Sequence, residues 1–208
     1  MKTSPKTSRG LGDKDQRILD AAKLLFGRFG LKKTSIEEIA QHAGLGKGTV
    51  YLYFKSKDEI FSVLANRMTE EYETLVDEAI GKATTPTEKI RTFIEVRVGY
   101  WDKTFRQFEA TTESILEAEA SPIIDEIRKK TESRRVHLIS DILEAGLKTG
   151  EFSFDNSRFT ALAIYHILES LVRPWNIEVA DMTPEDKIEA TISLLFNGIL
   201  KRPKVGQA

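Results

Sequence analysis

Two tetrapeptides far apart in the chain, Thr85-Pro86-Thr87-Glu88 and Thr183-Pro184-Glu185-Asp186, share one local grammar: a hydroxyl that can cap, proline at the first helical position and an acid at the third. Proline tolerates only the first turn of a helix, and the hydroxyl and acid satisfy backbone N–H groups that a helix start leaves bare. Both are therefore helix starts. Ser35-Ile36-Glu37-Glu38 and Ser56-Lys57-Asp58-Glu59 repeat the pattern without proline, while Ser121-Pro122 and Asp155-Asn156 supply two further N-caps. Apolar residues between these marks recur at three and four: Ile18, Ala21, Ala22, Leu25, Phe26 and Phe29 give a first helix over about 14–29. The same period predicts helices from Lys57 to about Ile80, Pro86 to about Trp101, Phe105 to Glu119, Pro122 to about Leu147, Asn156 to about Trp175 and Pro184 to Leu200. Alternation of period two is confined to Phe152-Ser153-Phe154, too short for a sheet. The fold class is all-α, with about nine helices.

Composition removes whole classes of function. The 208 residues contain no Cys, which excludes disulfides, thiolate metal sites, iron–sulfur clusters and a cysteine nucleophile. None of the three His, at 42, 137 and 166, has a Glu three residues before it or a His four after, so di-iron and zincin helices are disfavoured and neither a metal nor a cofactor is expected. No apolar run approaches the roughly 18 residues that span a bilayer, and the polar start MKTSPKTSRG has no apolar stretch for a signal peptide, so the expected location is the cytoplasm, with no membrane partner. The net charge of -1 hides an asymmetry: residues 1–60 carry 12 Lys+Arg against 7 Asp+Glu, and the remainder carries 19 against 25. A basic end on an acidic body suits a chain that meets a polyanion at one end only. The run Arg128-Lys129-Lys130-Thr131-Glu132-Ser133-Arg134-Arg135, lying inside a long helix, reads as a solvated face and not as a second polyanion site.

Within the basic end, Ser35 to Phe54 has the anatomy of a helix-turn-helix: a short helix burying Ile36, Ile39 and Ala40, a turn at Gly44 anchored by Leu45, and a second short helix burying Val50 and Phe54. The outer face of the second helix then carries Lys47, Thr49, Tyr51 and Tyr53, a cation, a short hydroxyl and two phenols that a major groove and its phosphates can use. Two Tyr at i and i+2 cannot share one core, so at least one faces outward.

Ile39-Ala40, Ala43-Gly44-Leu45, Gly48-Thr49-Val50-Tyr51 and Tyr53-Phe54 with Lys57 resemble the signature of the TetR family of bacterial transcriptional regulators. The resemblance is strong over residues 13–60 and rests beyond them on helix number and length alone. It implies base-edge contacts by Lys47 and Thr49, phosphate contacts by Tyr51, Tyr53 and Lys57, and a place beside the DNA backbone for Thr34 and Ser35. Gly46 stands where Ser is frequent in this family and Tyr53 where His is frequent; glycine still caps and tyrosine still donates a hydrogen bond. The implied organisation is a tail over 1–12, a helix-turn-helix domain over 13–56, an effector-binding and dimerisation domain over 57–201 and a tail over 202–208.

The same resemblance implies that the last two helices pair with those of a second subunit, an arrangement consistent with the broad apolar stripe through Leu162, Ile167, Leu171 and Trp175 and with Ile188, Ile192, Leu195, Phe196 and Ile199. It also implies a small-molecule pocket whose candidate lining is Phe93, Tyr100, Trp101, Phe105 and Phe108, with Arg97, Glu109, Thr112 and Glu113 as polar groups. That mix suits a largely apolar effector with a polar or ionised end. The expected function is a non-enzymatic, ligand-responsive dimeric repressor on an inverted-repeat operator in double-stranded DNA. A dimerising interaction module that no longer reads DNA is the alternative, and a helical binding protein or enzyme using acids such as Glu109 and Glu113 is a more distant one.

Overall fold

A computed structural model describes residues 12–172 and 182–199. Among the described residues the chain is built from α1 (Asp13–Lys33), α2 (Ile36–His42), α3 (Lys47–Tyr53), α4 (Lys57–Lys82), α5 (Pro86–Gln107), α6 (Thr112–Glu119), α7 (Pro122–Thr149), α8 (Ser157–Val172) and α9 (Pro184–Ile199). The expected tails and Trp175 lie outside them, apart from Gly12. The caps read from sequence are formed. Ser35 Oγ accepts from the Glu38 N–H at 3.2 Å while Glu38 Oε2 accepts from the Ser35 N–H at 2.7 Å. Thr85 and Glu88 close the same reciprocal pair at 3.1 and 3.2 Å, and Thr183 and Asp186 at 3.1 and 2.9 Å. Asn156 Oδ1 accepts from the Phe159 N–H at 2.8 Å and starts α8.

One expected boundary is displaced. A single helix over 105–119 is replaced by the end of α5 at Gln107, a turn, and α6 from Thr112. The turn is closed by Glu109 N–H to Arg106 O at 3.1 Å and Ala110 N–H to Phe105 O at 2.8 Å, with Glu109 at φ 49. Thr111 then caps α6, its Oγ1 accepting from the Ser114 N–H at 3.1 Å and its own N–H donating to Ser114 Oγ at 3.0 Å. Serine in place of the usual acid at the third position hides this helix start in the sequence.

The chain divides into two compact units. The first comprises the residues up to Met68 together with Phe105–Ser121, so that the beginning of α4 and all of α6 pack with the helix-turn-helix instead of beginning a second domain at residue 57. Its core contains Ile18, Leu19, Leu25, Phe26, Ile39, Val50, Phe54, Ile60 and Phe61, with the Phe26 and Phe61 rings edge to face at 5.7 Å. Helix α6 lies along α1. Gly27 permits this: a Cβ there would stand 2.3 Å from the Phe108 carbonyl oxygen, and the Thr111 N–H donates to Gly27 O at 3.2 Å. At Gly30, φ 82 interrupts α1, and Glu117 Oε1 takes the Lys32 N–H at 2.6 Å. Arg28 with Glu109 and Lys33 with Glu113 add exposed ion pairs along the same seam.

The second unit comprises Thr69–Thr104 and the chain from Pro122 onward. Its core joins Tyr72, Val76, Ile90, Phe93, Ile94, Ile139, Leu143, Phe152, Ala161, Ile164, Tyr165 and Leu168 to Ile192, Leu195 and Phe196. Phe152 returns over α7 at Gly146, where a Cβ would lie 2.0 Å from the Phe152 ring.

Gly27→Ala should lower the melting temperature, because an added methyl must force the Phe108 backbone away from α1, at a cost of about 1–3 kcal/mol. Gly99→Ala, in the exposed middle of α5 with nothing near its missing Cβ, should raise stability by roughly 0.5–1 kcal/mol. Thermal melts followed by circular dichroism check both signs.

Candidate nucleic-acid interface

Helix α3 has seven residues, too few to persist alone, and it lies against α1 and α2. Val50 is fully buried, Phe54 closes the inner face, and the Phe54 N–H donates to Val50 O at 2.9 Å. The turn before α3 is fixed by Leu45 N–H to Ala40 O at 2.8 Å and by Gly44 at φ 64. Arg17 of α1 reaches across to Ala43 O at 2.6 Å and Gly44 O at 3.4 Å, closing the open carbonyls of the turn.

What faces inward at Val50 determines what faces outward. Tyr51 and Tyr53 are 48% and 43% exposed, so both phenols point away from the core. Leu52 between them is 82% exposed, the most exposed of the large apolar side chains among the described residues. Sequence reasoning passed over Leu52; its signal was an apolar residue out of register with Val50 and Phe54. An exposed leucine on a groove-reading helix can meet the thymine methyl. Lys47 is exposed, forms an ion pair with Glu37 and lies 5.9 Å from the Tyr51 ring centre. Thr49 is half-buried, and Gly46 caps α3 through its backbone alone.

Three expected DNA contacts have other commitments. Lys57 Nζ donates to Thr34 O at 2.7 Å and Lys32 O at 3.3 Å, binding the start of α4 to the link between α1 and α2. Ser35 Oγ is engaged in its cap. Thr34 is buried, with its hydroxyl donating to Gly30 O at 2.8 Å and set 3.3 Å from Leu25 O, where it serves carbonyls freed by the break in α1. The Thr34 side chain therefore faces the core and not a phosphate.

The expected pocket residues do not form one group. Phe105, Phe108, Glu109, Thr112 and Glu113 belong to the first unit, where Lys23 sits 4.0 Å above the Phe108 ring and the two acids pair with Arg28 and Lys33. Phe93, Arg97, Tyr100 and Trp101 belong to the second. There Arg97 and Glu169 pair at 2.5 Å and Arg135 and Glu73 at 2.7 Å, all four largely withdrawn from solvent. The two guanidinium carbons lie 5.3 and 5.1 Å from the Tyr72 ring centre. Burial raises the Tyr72 and Tyr165 phenols above their ordinary range, and neither hydroxyl makes a hydrogen bond. Arg135 comes from the basic run expected to be a solvated face; Lys129 and Lys130 do lie in solvent, paired with Asp125 and Glu126, but Arg135 turns inward. Helical spacing alone does not say which cation of such a run faces the core.

The expected dimer residues also divide. Ile192, Leu195 and Phe196 are buried in the core of their own subunit, and Ile167, Leu171 and Ile188 pack partly against it. The side chain of Ile199 lies outside the described set. Phe159, Leu162 and Leu194 are the exposed apolar residues of α8 and α9.

A short helix held by its inner residues against two others, presenting a cation, a hydroxyl and two phenols, defines a helix-turn-helix DNA-binding protein. Residues 18–64 match the tetR family of bacterial regulatory proteins. The HTH-type transcriptional regulator YhgD of Bacillus subtilis is 27% identical over 166 residues, 78% of this chain and 84% of that protein. The fatty acid metabolism regulator protein of the same organism is 24% identical, covering 89% of this chain and 95% of its own length. In fold, the chain superposes on the fatty acid degradation regulator FadR of Bacillus halodurans with a TM-score of 0.70 at 22% identity, over 91% of this chain and 98% of that one. The chain belongs to the TetR family of transcriptional regulators.

Because the Thr34 hydroxyl serves only internal carbonyls, Thr34→Val should cost about 1–2 kcal/mol of stability and leave the salt dependence of DNA binding unchanged. Melting curves and duplex titrations at several salt concentrations check the two halves.

Proposed function

We propose that the protein is a dimeric, ligand-responsive repressor that acts in the cytoplasm on an inverted-repeat operator. The exposed face of α3 set over a buried Val50 carries the reading. Lys47, Thr49 and Leu52 meet base edges, while Tyr51, Tyr53 and the backbone at Gly46 meet phosphates. Lys57 retains a third ammonium proton for a phosphate beside Ser35, and Thr34 contributes by holding the backbone there.

One recognition helix reads one half-site, so discrimination requires two subunits. Phe159, Leu162, His166 and Ser170 form one exposed stripe along α8, and Leu194 extends the apolar surface on α9. We place the subunit interface on this stripe, with Ile192, Leu195 and Phe196 as the layer beneath it. Phe159→Glu combined with Leu194→Glu should give a folded monomer in sedimentation equilibrium, with helical content retained and duplex binding weakened. A dimer of unchanged affinity would contradict the placement.

The effector site is centred on Arg97 and Arg135. Glu169 accepts from Arg97 and lies within 4 Å of both Arg135 (3.8 Å) and Arg128 (3.9 Å), so guanidinium groups outnumber carboxylates around it. An amphipathic effector with an acidic end can take the place of Glu169 among these cations and accept from the Tyr72 or Tyr165 hydroxyl, with its apolar part among the aromatic rings beside Phe93. Relatives described as fatty acid regulators support this chemistry. Dodecanoate should raise the melting temperature and release duplex DNA, and dodecanol should do neither; equal effects of the two would remove the acidic end from the proposal.

A further inference from the structure

The acid nearest the recognition helix belongs to the interface and has no role in the reading given above. Glu37 lies in the first turn of α2, where a helix N-terminus welcomes negative charge, yet its carboxylate reaches out of its own helix to the Lys47 ammonium on α3. Both side chains are exposed, 59% for Glu37 and 49% for Lys47, so the contact lies on the surface that DNA approaches and not in the core. The Lys47 ammonium, and after it the backbone N–H of Glu37 itself, hold the Glu37 carboxyl below the usual range; it is ionised at neutral pH. The bond to Glu37 in turn raises Lys47.

We infer that Glu37 is a specificity-determining residue: it neutralises Lys47 toward bare phosphate and releases it where a base pair offers the pair both an acceptor and a donor. Phosphate oxygens are acceptors only. They can satisfy Lys47 but must leave Glu37 facing another anion, so docking on arbitrary DNA either keeps the ion pair closed and gains nothing from Lys47, or opens it and strands a carboxylate. The floor of the major groove differs. A G·C pair presents guanine N7 and O6 as acceptors and the cytosine N4 amino group as donor, so Lys47 and Glu37 can both exchange partners there. The ion pair costs little to open because both groups are solvated, which makes it an exchangeable filter and not a lock. Glu37 acts in part through Lys47, and its role is to lower background binding as much as to add a contact.

The test uses the full-length protein and a random-sequence duplex pool, titrated at several salt concentrations, with wild type, Glu37→Gln, Lys47→Ala and the double variant. Glu37→Gln keeps the size of the side chain but frees the ammonium. It should bind the random pool severalfold more tightly, with a salt slope steeper by about one unit, the increment for one added phosphate contact. In the Lys47→Ala background the same change should leave the slope where it was. Against a duplex enriched from that pool by the wild type, Glu37→Gln should gain less than against the pool, so the ratio of the two affinities falls. Melting temperatures within about a degree or two of wild type establish that the exchange is local. Unchanged random-pool affinity and slope in Glu37→Gln would overturn the proposal. So would a slope change that survives Lys47→Ala, which would assign Glu37 a direct repulsion of phosphate without the pair. A wild type with no salt-dependent duplex binding at all would instead overturn DNA reading itself, a distinguishable failure.

Discussion

The burial of Val50 is the contact on which the display of the DNA-reading face depends. A seven-residue helix gains too few internal hydrogen bonds to offset the order it requires, so α3 exists because its inner face is fixed against α1 and α2. With Val50 and Phe54 inside, helical geometry leaves Lys47, Tyr51, Leu52 and Tyr53 no choice but to face outward. The turn that aims α3 relies in the same way on α1, through Arg17 and the carbonyls of Ala43 and Gly44. Helix α1 is itself clasped by α6, which comes from the middle of the chain and reaches α1 at Gly27 and Gly30, where no side chain intervenes. The DNA-reading unit is thus completed by a helix far from it in sequence.

Two electrostatic regimes divide the molecule. Along the first unit the ion pairs are exposed: Arg28 with Glu109, Lys33 with Glu113, Lys47 with Glu37. Such pairs add little stability singly and are readily exchanged for other partners, a property suited to a surface that must accept a polyanion. In the second unit Arg97, Arg135, Glu73 and Glu169 are withdrawn from water around Tyr72. Burying four charges is expensive, and removing one partner would strand another. A core that required only stability could use apolar residues of similar volume; retention of charges beside two unpartnered phenols suits a place where a polar ligand end exchanges with a side chain.

Much of this was legible in the sequence because it depends on local rules. The capping pairs at Ser35, Thr85 and Thr183, the glycine turn at Gly44 and the apolar period of α1 each need only neighbours in the chain, and each is present in the structure. The start of α6 was not legible because serine replaces the acid in its capping box and no proline or glycine marks the turn before it. The inward turn of Arg135 depends on Glu73, some sixty residues earlier, and no local period reports such a partner. Ile192, Leu195 and Phe196 form a genuine apolar stripe, but a stripe gives the buried face of a helix without saying whether the same or a second subunit covers it. Glu37 was read as part of a helix cap, which it adjoins, and its reach to Lys47 appears only once α2 and α3 are folded together.

The most direct test of the account is selection of duplexes from a random pool by the purified, ligand-stripped protein at about physiological salt, where binding that rests on phosphates alone is suppressed. Two recognition helices related by a two-fold axis predict enrichment of an inverted repeat with half-sites about one helical turn, roughly 34 Å, apart or a multiple of it. A folded dimer that enriches no sequence, or only an isolated half-site, would contradict it.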